Sequence, residues 1–304
     1  MKKVLVTGGN GLVGSCFDIL SDKYEFLRLC RNDGDLTKEV NVSEIFTKYK
    51  PDYVIHAAAK VGGIGANLEF PAEQYYDNIM MNTLVIEYAR RFGVKKLITF
   101  GSSCSIDENL KNYTENDLQS GIPHPFHKYY AYAKRMADVQ IEAYNKEFGI
   151  NYCTLILGNI FGEHDNFNLK YGHVIPSLVH KCYLAKKNNT PFKIWGSGGA
   201  RREFIYSKDI MKVCLSLLER GKMPQRLIVS NKNMSIKDIV YLICGAFGYT
   251  NIEWEIDKPE GQLDRTSDHT LFNKEFPNFE YTDIKEGITN TCNWFSDNYD
   301  SARK

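Results

Sequence analysis

The chain is short of almost every feature that would mark it as something special. Its 304 residues carry 38 lysines and arginines against 37 aspartates and glutamates, a formal charge of +1. No basic surplus is available to grip nucleic acid or an anionic membrane surface, so neither partner is expected. The nearest thing to a basic cluster, Lys181 with Lys186-Lys187, reads as the solvated face of a helix. No apolar run approaches the roughly 18 residues of a membrane-crossing helix. The eight cysteines form no CxxC pair, and none stands at metal-ligand spacing from a histidine. No metal is expected, and the scattered thiols fit small core residues in a reduced, cytoplasmic setting. There is no repeat and no low-complexity stretch, and the chain opens directly on a strand at Lys2, which predicts no signal peptide. What is present is 43% hydrophobic and 25% charged, ordinary for a globular protein with a sizeable core in one large domain or two coupled ones.

The apolar pattern alternates. Short strands are predicted at Val4-Leu5-Val6, 24–29, 53–55, 97–100 and 152–157, with helices at 12–20, 42–49, 72–91 and 129–148 between them. Strands separated by helices at this spacing imply βαβ units, hence an α/β fold of Rossmann type: a doubly wound parallel sheet with helices on both faces. The second half is less regular. Helices are expected at 176–186, after Ser207 and from Ser235 to about Phe247, with strands at 192–195, 227–229 and 252–256. These readings predict a dinucleotide-binding domain over 1–160 with a returning segment about 203–222, and a smaller substrate lobe from 161–202 and 223–304.

Between the first strand and the first helix lies Thr7-Gly8-Gly9-Asn10-Gly11-Leu12-Val13-Gly14. In this position Gly8 allows the tight turn, Gly11 lets the backbone approach a pyrophosphate, and Gly14 lets helix and strand pack closely. Leu12 and Val13 complete the turn, and a following helix would add amide donors and a favourable dipole. After the second strand come Arg28, Arg31, Asp35 and Leu36. Arginines there favour the 2′-phosphate of NADP over NAD, with Arg31 as contact, Asp35 toward the adenine and Leu36 beside it.

Gly101-Ser102-Ser103-Cys104 closes the fourth strand, and Tyr130-Ala131-Tyr132-Ala133-Lys134 opens the long helix after it. A tyrosine and a lysine four apart share a helix face, where the ammonium is expected to lower the phenol's pKa. One or two such pairs arise by chance in a chain with 19 tyrosines, so position decides. Here the hydroxyl, phenol and ammonium meet where ligands bind in parallel sheets, at the carboxyl ends of strands. They are the groups needed to protonate a ketone oxygen during hydride transfer.

These segments, with Ala57-Ala58-Ala59-Lys60-Val61-Gly62-Gly63-Ile64, Gly162 with His164-Asp165-Asn166-Phe167, His173-Val174-Ile175-Pro176, Trp195-Gly196-Ser197-Gly198, Arg202-Glu203-Phe204 and Lys258-Pro259 with Gly261, run through nearly the whole chain. The sequence resembles the extended short-chain dehydrogenase/reductases that act on nucleotide sugars, and most narrowly their GDP-L-fucose synthase branch. The resemblance implies a GDP-sugar substrate with a ketone at C4, NADP(H) as cofactor and a homodimer formed through the helices near 72 and 129. Ser102, Tyr130 and Lys134 would serve reduction, and Cys104 with His173 would exchange protons at C3 and C5. Ala57, Ala58, Ala59, Lys134 and Asn159 would face the cofactor. Ser103, Asn159, Lys181, Trp195, Arg202 and Arg265 would face the substrate. The chain departs from the branch pattern at Asn10, at Ser105-Ile106-Asp107, at Leu157-Gly158, at Glu163 and at Lys181. The alternatives are a C4 reductase without epimerisation, acting on another GDP-4-keto sugar such as a 6-deoxy-heptose, and a non-catalytic cofactor-binding or scaffold protein.

Overall fold

The computed structural model describes residues 1–257 and 266–304. Six parallel strands form the main sheet: β1 (Lys2–Thr7), β2 (Tyr24–Leu29), β3 (Tyr53–His56), β4 (Lys96–Ser102), β5 (Asn151–Leu157) and β6 (Arg226–Val229). Their spatial order is β6-β5-β4-β3-β1-β2. Strand order reverses between β1 and β3, and the crevice above that point is where a doubly wound sheet takes its ligand. The strands read as unbroken apolar runs because both faces are covered. One face packs against α1 (Glu39–Tyr49), α2 (Pro71–Arg91) and α3 (Lys128–Phe148), burying Ile45, Phe46, Val85, Ile86 and Ile141. The other face receives α5 (Ser207–Glu219) through Ile210, Val213, Cys214 and Leu217.

The lobe has its own apolar centre. Helices α4 (Val174–Asn188), α6 (Ile236–Phe247) and α7 (Ile284–Asp297) bury Leu178, Cys182, Ile243, Cys244, Ile288, Cys292 and Phe295 together. A ribbon of Phe192–Trp195 and Ile252–Glu255 runs parallel beside them. Ser235 and Asp238 do form the expected capping box at the start of α6.

Three elements differ from the sequence expectation. The helix predicted over 12–20 is a single 3-10 turn, Gly14–Phe17. Strand β2 starts opposite Lys2, so the chain must return the full length of β1, about 17 Å. The ten residues left after the glycine turn would climb only about 15 Å as helix, before crossing to the sheet. One turn followed by extended chain covers the distance, and Leu20 is left fully exposed. Next, β6 falls within 223–304, yet it is the edge strand of the main sheet, and Phe272 and Phe276 pack beneath that sheet as well. Finally, strands Asn159–Phe161, Arg201–Tyr206 and Asn233–Ser235 form a small sheet that periodicity did not reveal. They are short or begin with charged residues, so their pairing is set by tertiary contacts.

Candidate active site

The glycine turn folds as its spacing requires. Gly8 has φ +69°, and a side chain on it would meet the backbone of Ala57 and Ala58. A Cβ on Gly14 would lie 2.2 Å from the Gly8 carbonyl oxygen. The turn therefore sits directly on the backbone of the loop after β3. The amides of Leu12 and Val13 have no acceptor among the described residues, which suits an anion above them. With only one turn following, the dipole adds little, so these amides carry the cradle rather than a helix terminus.

At the tip of β2 the two arginines part company. Arg28 is held by Asp18 at 2.9 Å and by the Gly9 carbonyl at 3.4 Å. Arg31 is exposed with no carboxylate within 4 Å among the described residues, so it is the one that can meet a phosphate. The Asp35 carboxylate accepts from the Thr37 amide and hydroxyl at 2.9 and 2.7 Å, which holds its pKa below the usual range. Leu36 packs partly buried against α1 and its neighbours.

Strand β4 delivers Ser102 to its carboxyl end, where its hydroxyl accepts the Cys104 amide at 3.2 Å and opens a short turn. The same hydroxyl lies close enough to the Tyr130 phenol to favour its ionised form slightly. Lys134, one turn along α3, places its ammonium 5.9 Å from the Tyr130 ring centre. The expected lowering of the phenol pKa is not what results. Burial, joined by the nearby Cys104, pushes it above its ordinary value. Burial also pushes the Lys134 ammonium down to about 8. At both groups removal from water decides the direction of the shift.

Beneath Lys134 lies a buried chain that the sequence reading missed. His56 bonds Thr7 Oγ1 through Nδ1 at 2.7 Å and Asn82 Oδ1 through Nε2 at 3.0 Å. The Thr7 hydroxyl in turn accepts the Ala58 amide at 3.1 Å, and Asn82 donates to the Ala133 carbonyl at 3.4 Å. This joins the glycine turn, the β3 loop and α3. Burial, with Lys134 as the second cause, drives the His56 pKa down to about 3. The signal for it was a histidine ending an otherwise apolar strand. Arg135 was also missed: it donates to the Ser105, Gly121 and Ser120 carbonyls at 2.6, 2.8 and 2.6 Å, pinning the loop after Cys104 to α3.

His173 occupies the N-cap position of α4 without a side-chain capping hydrogen bond. Its surface is accessible, yet protein surrounds it closely enough for burial to lower its pKa, with Arg303 adding to the shift. His127, a second missed histidine, hydrogen-bonds Asn67 at 3.2 Å. Its pKa is pushed down to about 4 by burial and by its neighbours His124, His173 and Arg202. Ser103, Asn159 and Arg202 line one small cavity with Tyr113, Gly158 and Glu203. Cys104 lies near Tyr130, while His173 and Arg202 both lie near His127. Lys181 and Trp195 lie further out, the ammonium 5.3 Å from the indole centre. Arg265 lies outside the described residues. Among the described residues no three His, Cys, Asp or Glu side chains converge as a metal would require, and no helix is long and apolar enough to cross a membrane.

Residues 4–230 match the model of the NAD dependent epimerase/dehydratase family. GDP-L-fucose synthase of Dictyostelium discoideum is 38% identical over 315 aligned residues, covering 100% of this chain and 98% of the relative. A solved GDP-L-fucose synthetase from Naegleria fowleri bound to NADP superposes with a TM-score of 0.93 at 36% identity, covering 100% of this chain and 95% of that one. A GDP-mannoheptose C4 reductase from Campylobacter jejuni with NADP bound follows at TM-score 0.83 and 25% identity, covering 97% and 98%.

Proposed function

The chain belongs to the NAD dependent epimerase/dehydratase family, and we propose that it acts as a GDP-L-fucose synthase. It is an NADP(H)-dependent enzyme that reduces the C4 ketone of a GDP-4-keto-6-deoxy sugar after epimerisation at C3 and C5. Full-length likeness to GDP-L-fucose synthases supports this reading. The observation that carries the chemistry is the Tyr130 phenol set near Ser102 at the carboxyl end of β4, with the Lys134 ammonium 5.9 Å from its ring.

NADPH, when bound, supplies hydride to C4. The chain's own part is to hold the ketone and give it a proton. Ser102 donates to the ketone oxygen and orients it. Tyr130, kept protonated by burial, passes its phenolic proton to the alkoxide, the far stronger base. Lys134 holds the cofactor's ribose and balances the phenolate that remains. The amides of Leu12 and Val13 take the pyrophosphate, Arg31 the 2′-phosphate, and Ala57, Ala58, Ala59 and Asn159 the cofactor's remaining flank. For epimerisation, a carbon next to the ketone gives its proton to one of Cys104 and His173 and takes one from the other on the opposite side, so no proton is gained or lost overall. His173 is suited to act as base because burial keeps its imidazole neutral at pH 7. Ser103, Lys181, Trp195 and Arg202 hold the rest of the substrate.

Reduction and epimerisation separate in deuterated water. With GDP-4-keto-6-deoxy-mannose and NADPH, the product should carry deuterium at C3 and C5. Cys104→Ala should remove that label while pre-epimerised substrate is still reduced. Product formed without deuterium at either carbon would instead support the second reading, a C4 reductase of another GDP-4-keto sugar. The departures at Ser105-Ile106 and the likeness to a heptose C4 reductase favour that alternative.

We also propose a homodimer through α2 and α3. Tyr129, Met136 and Val139 lie exposed along one stripe of α3, and Tyr75 and Tyr76 are exposed on α2. Eight free thiols suit a cytoplasmic enzyme.

A further inference from the structure

Helix α4 connects two regions. His173 sits at its start, and Lys181, eight residues on, lies about 12 Å along the axis. Around Lys181 a second cavity opens, about 360 Å³ in volume, lined by Lys181, Leu184, Asn188, Lys193, Trp195 and Glu255. Its floor is the outer face of the ribbon. Trp195 pairs with Glu255 and Lys193 with Glu253 in parallel register, so all four side chains project to the same side. Phe192 and Ile194 point the other way into the lobe core.

The charges on this face are not equivalent. Glu253 is neutralised by Lys193 at 3.2 Å. Glu255 has no cation within 4 Å among the described residues. It stands close enough to Lys181 to oppose the fall in that ammonium's pKa, whose main cause is burial. The cavity thus offers an exposed indole, a carboxylate with no hydrogen-bond partner among the described residues and an ammonium beside them. A carboxylate can only accept hydrogen bonds. The ligand edge that fits it presents two adjacent donors, with an acceptor next to them for the lysine.

We propose that Glu255 is the residue that selects the nucleobase, reading the N1–H and 2-amino donors of guanine, with Trp195 packing against the ring and Lys181 meeting O6. This inference rests on the GDP-sugar reading above. Uracil offers one donor between two carbonyls, and adenine sets an acceptor where guanine has N1–H, so both leave the carboxylate unsatisfied. Hypoxanthine keeps N1–H and lacks only the 2-amino group, so it isolates one of the two bonds. The helix spans the distance between the sugar end at His173 and the base end at Glu255, so one nucleotide sugar lies along it.

Calorimetric titration of the whole protein with GDP, IDP, ADP and UDP tests this. The wild type should rank GDP above IDP, with ADP and UDP weaker still. Glu255→Ala should weaken GDP about 10- to 100-fold, the worth of hydrogen bonds to a charged group. It should bring GDP and IDP to equal affinity and leave ADP, UDP and NADPH binding unchanged. Glu253→Gln on the same face should leave the ranking intact. A wild type that prefers GDP and a Glu255→Ala protein that keeps that preference would overturn the inference while sparing the proposed function. So would equal losses for all four nucleotides. A wild type indifferent to GDP would remove both.

Discussion

Lys134→Met should make this enzyme more stable while making it inactive. The ammonium is buried in the wall of the cleft, only 4% accessible, and has no hydrogen-bond acceptor or carboxylate among the described residues. Burial alone moves its pKa from 10.5 to about 8. That displacement means the charged form is disfavoured in the fold by about 3 kcal/mol relative to the unfolded chain. Methionine keeps the length of the side chain and removes the charge. At pH 7 the variant should therefore gain about 3 kcal/mol, or about 5 °C in Tm for a chain of this size. The pH dependence carries the diagnostic sign. Below pH 8 the lysine is charged in both states and the whole penalty is present. Between pH 8 and 10.5 the unfolded chain binds the extra proton, so wild-type stability rises with pH relative to the variant. Urea unfolding of both proteins at pH 7, 8.5 and 10, with NADPH oxidation measured in parallel, is the assay. The gap should shrink steadily with pH, and turnover should drop at least ~100-fold in the variant. A variant less stable at pH 7, or a gap that does not change with pH, would refute the claim that Lys134 is an unpaired buried charge.

The remaining predictions concern the supports of the same site. Gly14→Ala places a Cβ 2.2 Å from the Gly8 oxygen; it should cost about 1–3 kcal/mol in urea unfolding and weaken NADPH binding at least ~10-fold by fluorescence titration. His56 keeps its proton off down to about pH 3, so the unfolded chain binds the extra proton between pH 6.5 and 3. Acidification through that window should destabilise the wild type by up to ~1.4 kcal/mol per pH unit from this residue, and His56→Asn should lose that component of the slope. Val139→Glu should convert a dimer to monomer in light scattering without changing the far-ultraviolet spectrum, because the residue is exposed on α3; a wild type that runs as monomer sinks the interface.

Much of the main sheet was legible because each strand's apolar run is local and each helix between them carries its own amphipathic signal. Pro71 opening α2, Gly149 closing α3 and the Ser235–Asp238 box opening α6 were readable for the same reason. Helix α7 could have been read too, since Ile284, Ile288, Thr291, Cys292 and Phe295 lie at helical spacing and Asp283 caps the start by accepting the Lys285 amide at 2.9 Å. The three-stranded sheet holding Asn159 and Arg202 could not, because strands of three to six residues with polar ends acquire their identity from a partner 30 or more positions away.

Residue types and spacing by themselves determined the glycine turn after β1 and the placing of Tyr130 and Lys134 on one helix face, since both are short-range geometry. Tertiary structure alone decided the rest. It cut the first helix to one turn because β2 must start beside Lys2. It paired Arg28 with Asp18 and left Arg31 exposed without a carboxylate partner among the described residues. It reversed the expected shift at Tyr130, because how far a side chain is removed from water depends on residues distant in sequence. By setting Glu255 beside Trp195 across a ribbon, it put an open carboxylate where nothing in the linear order announces one.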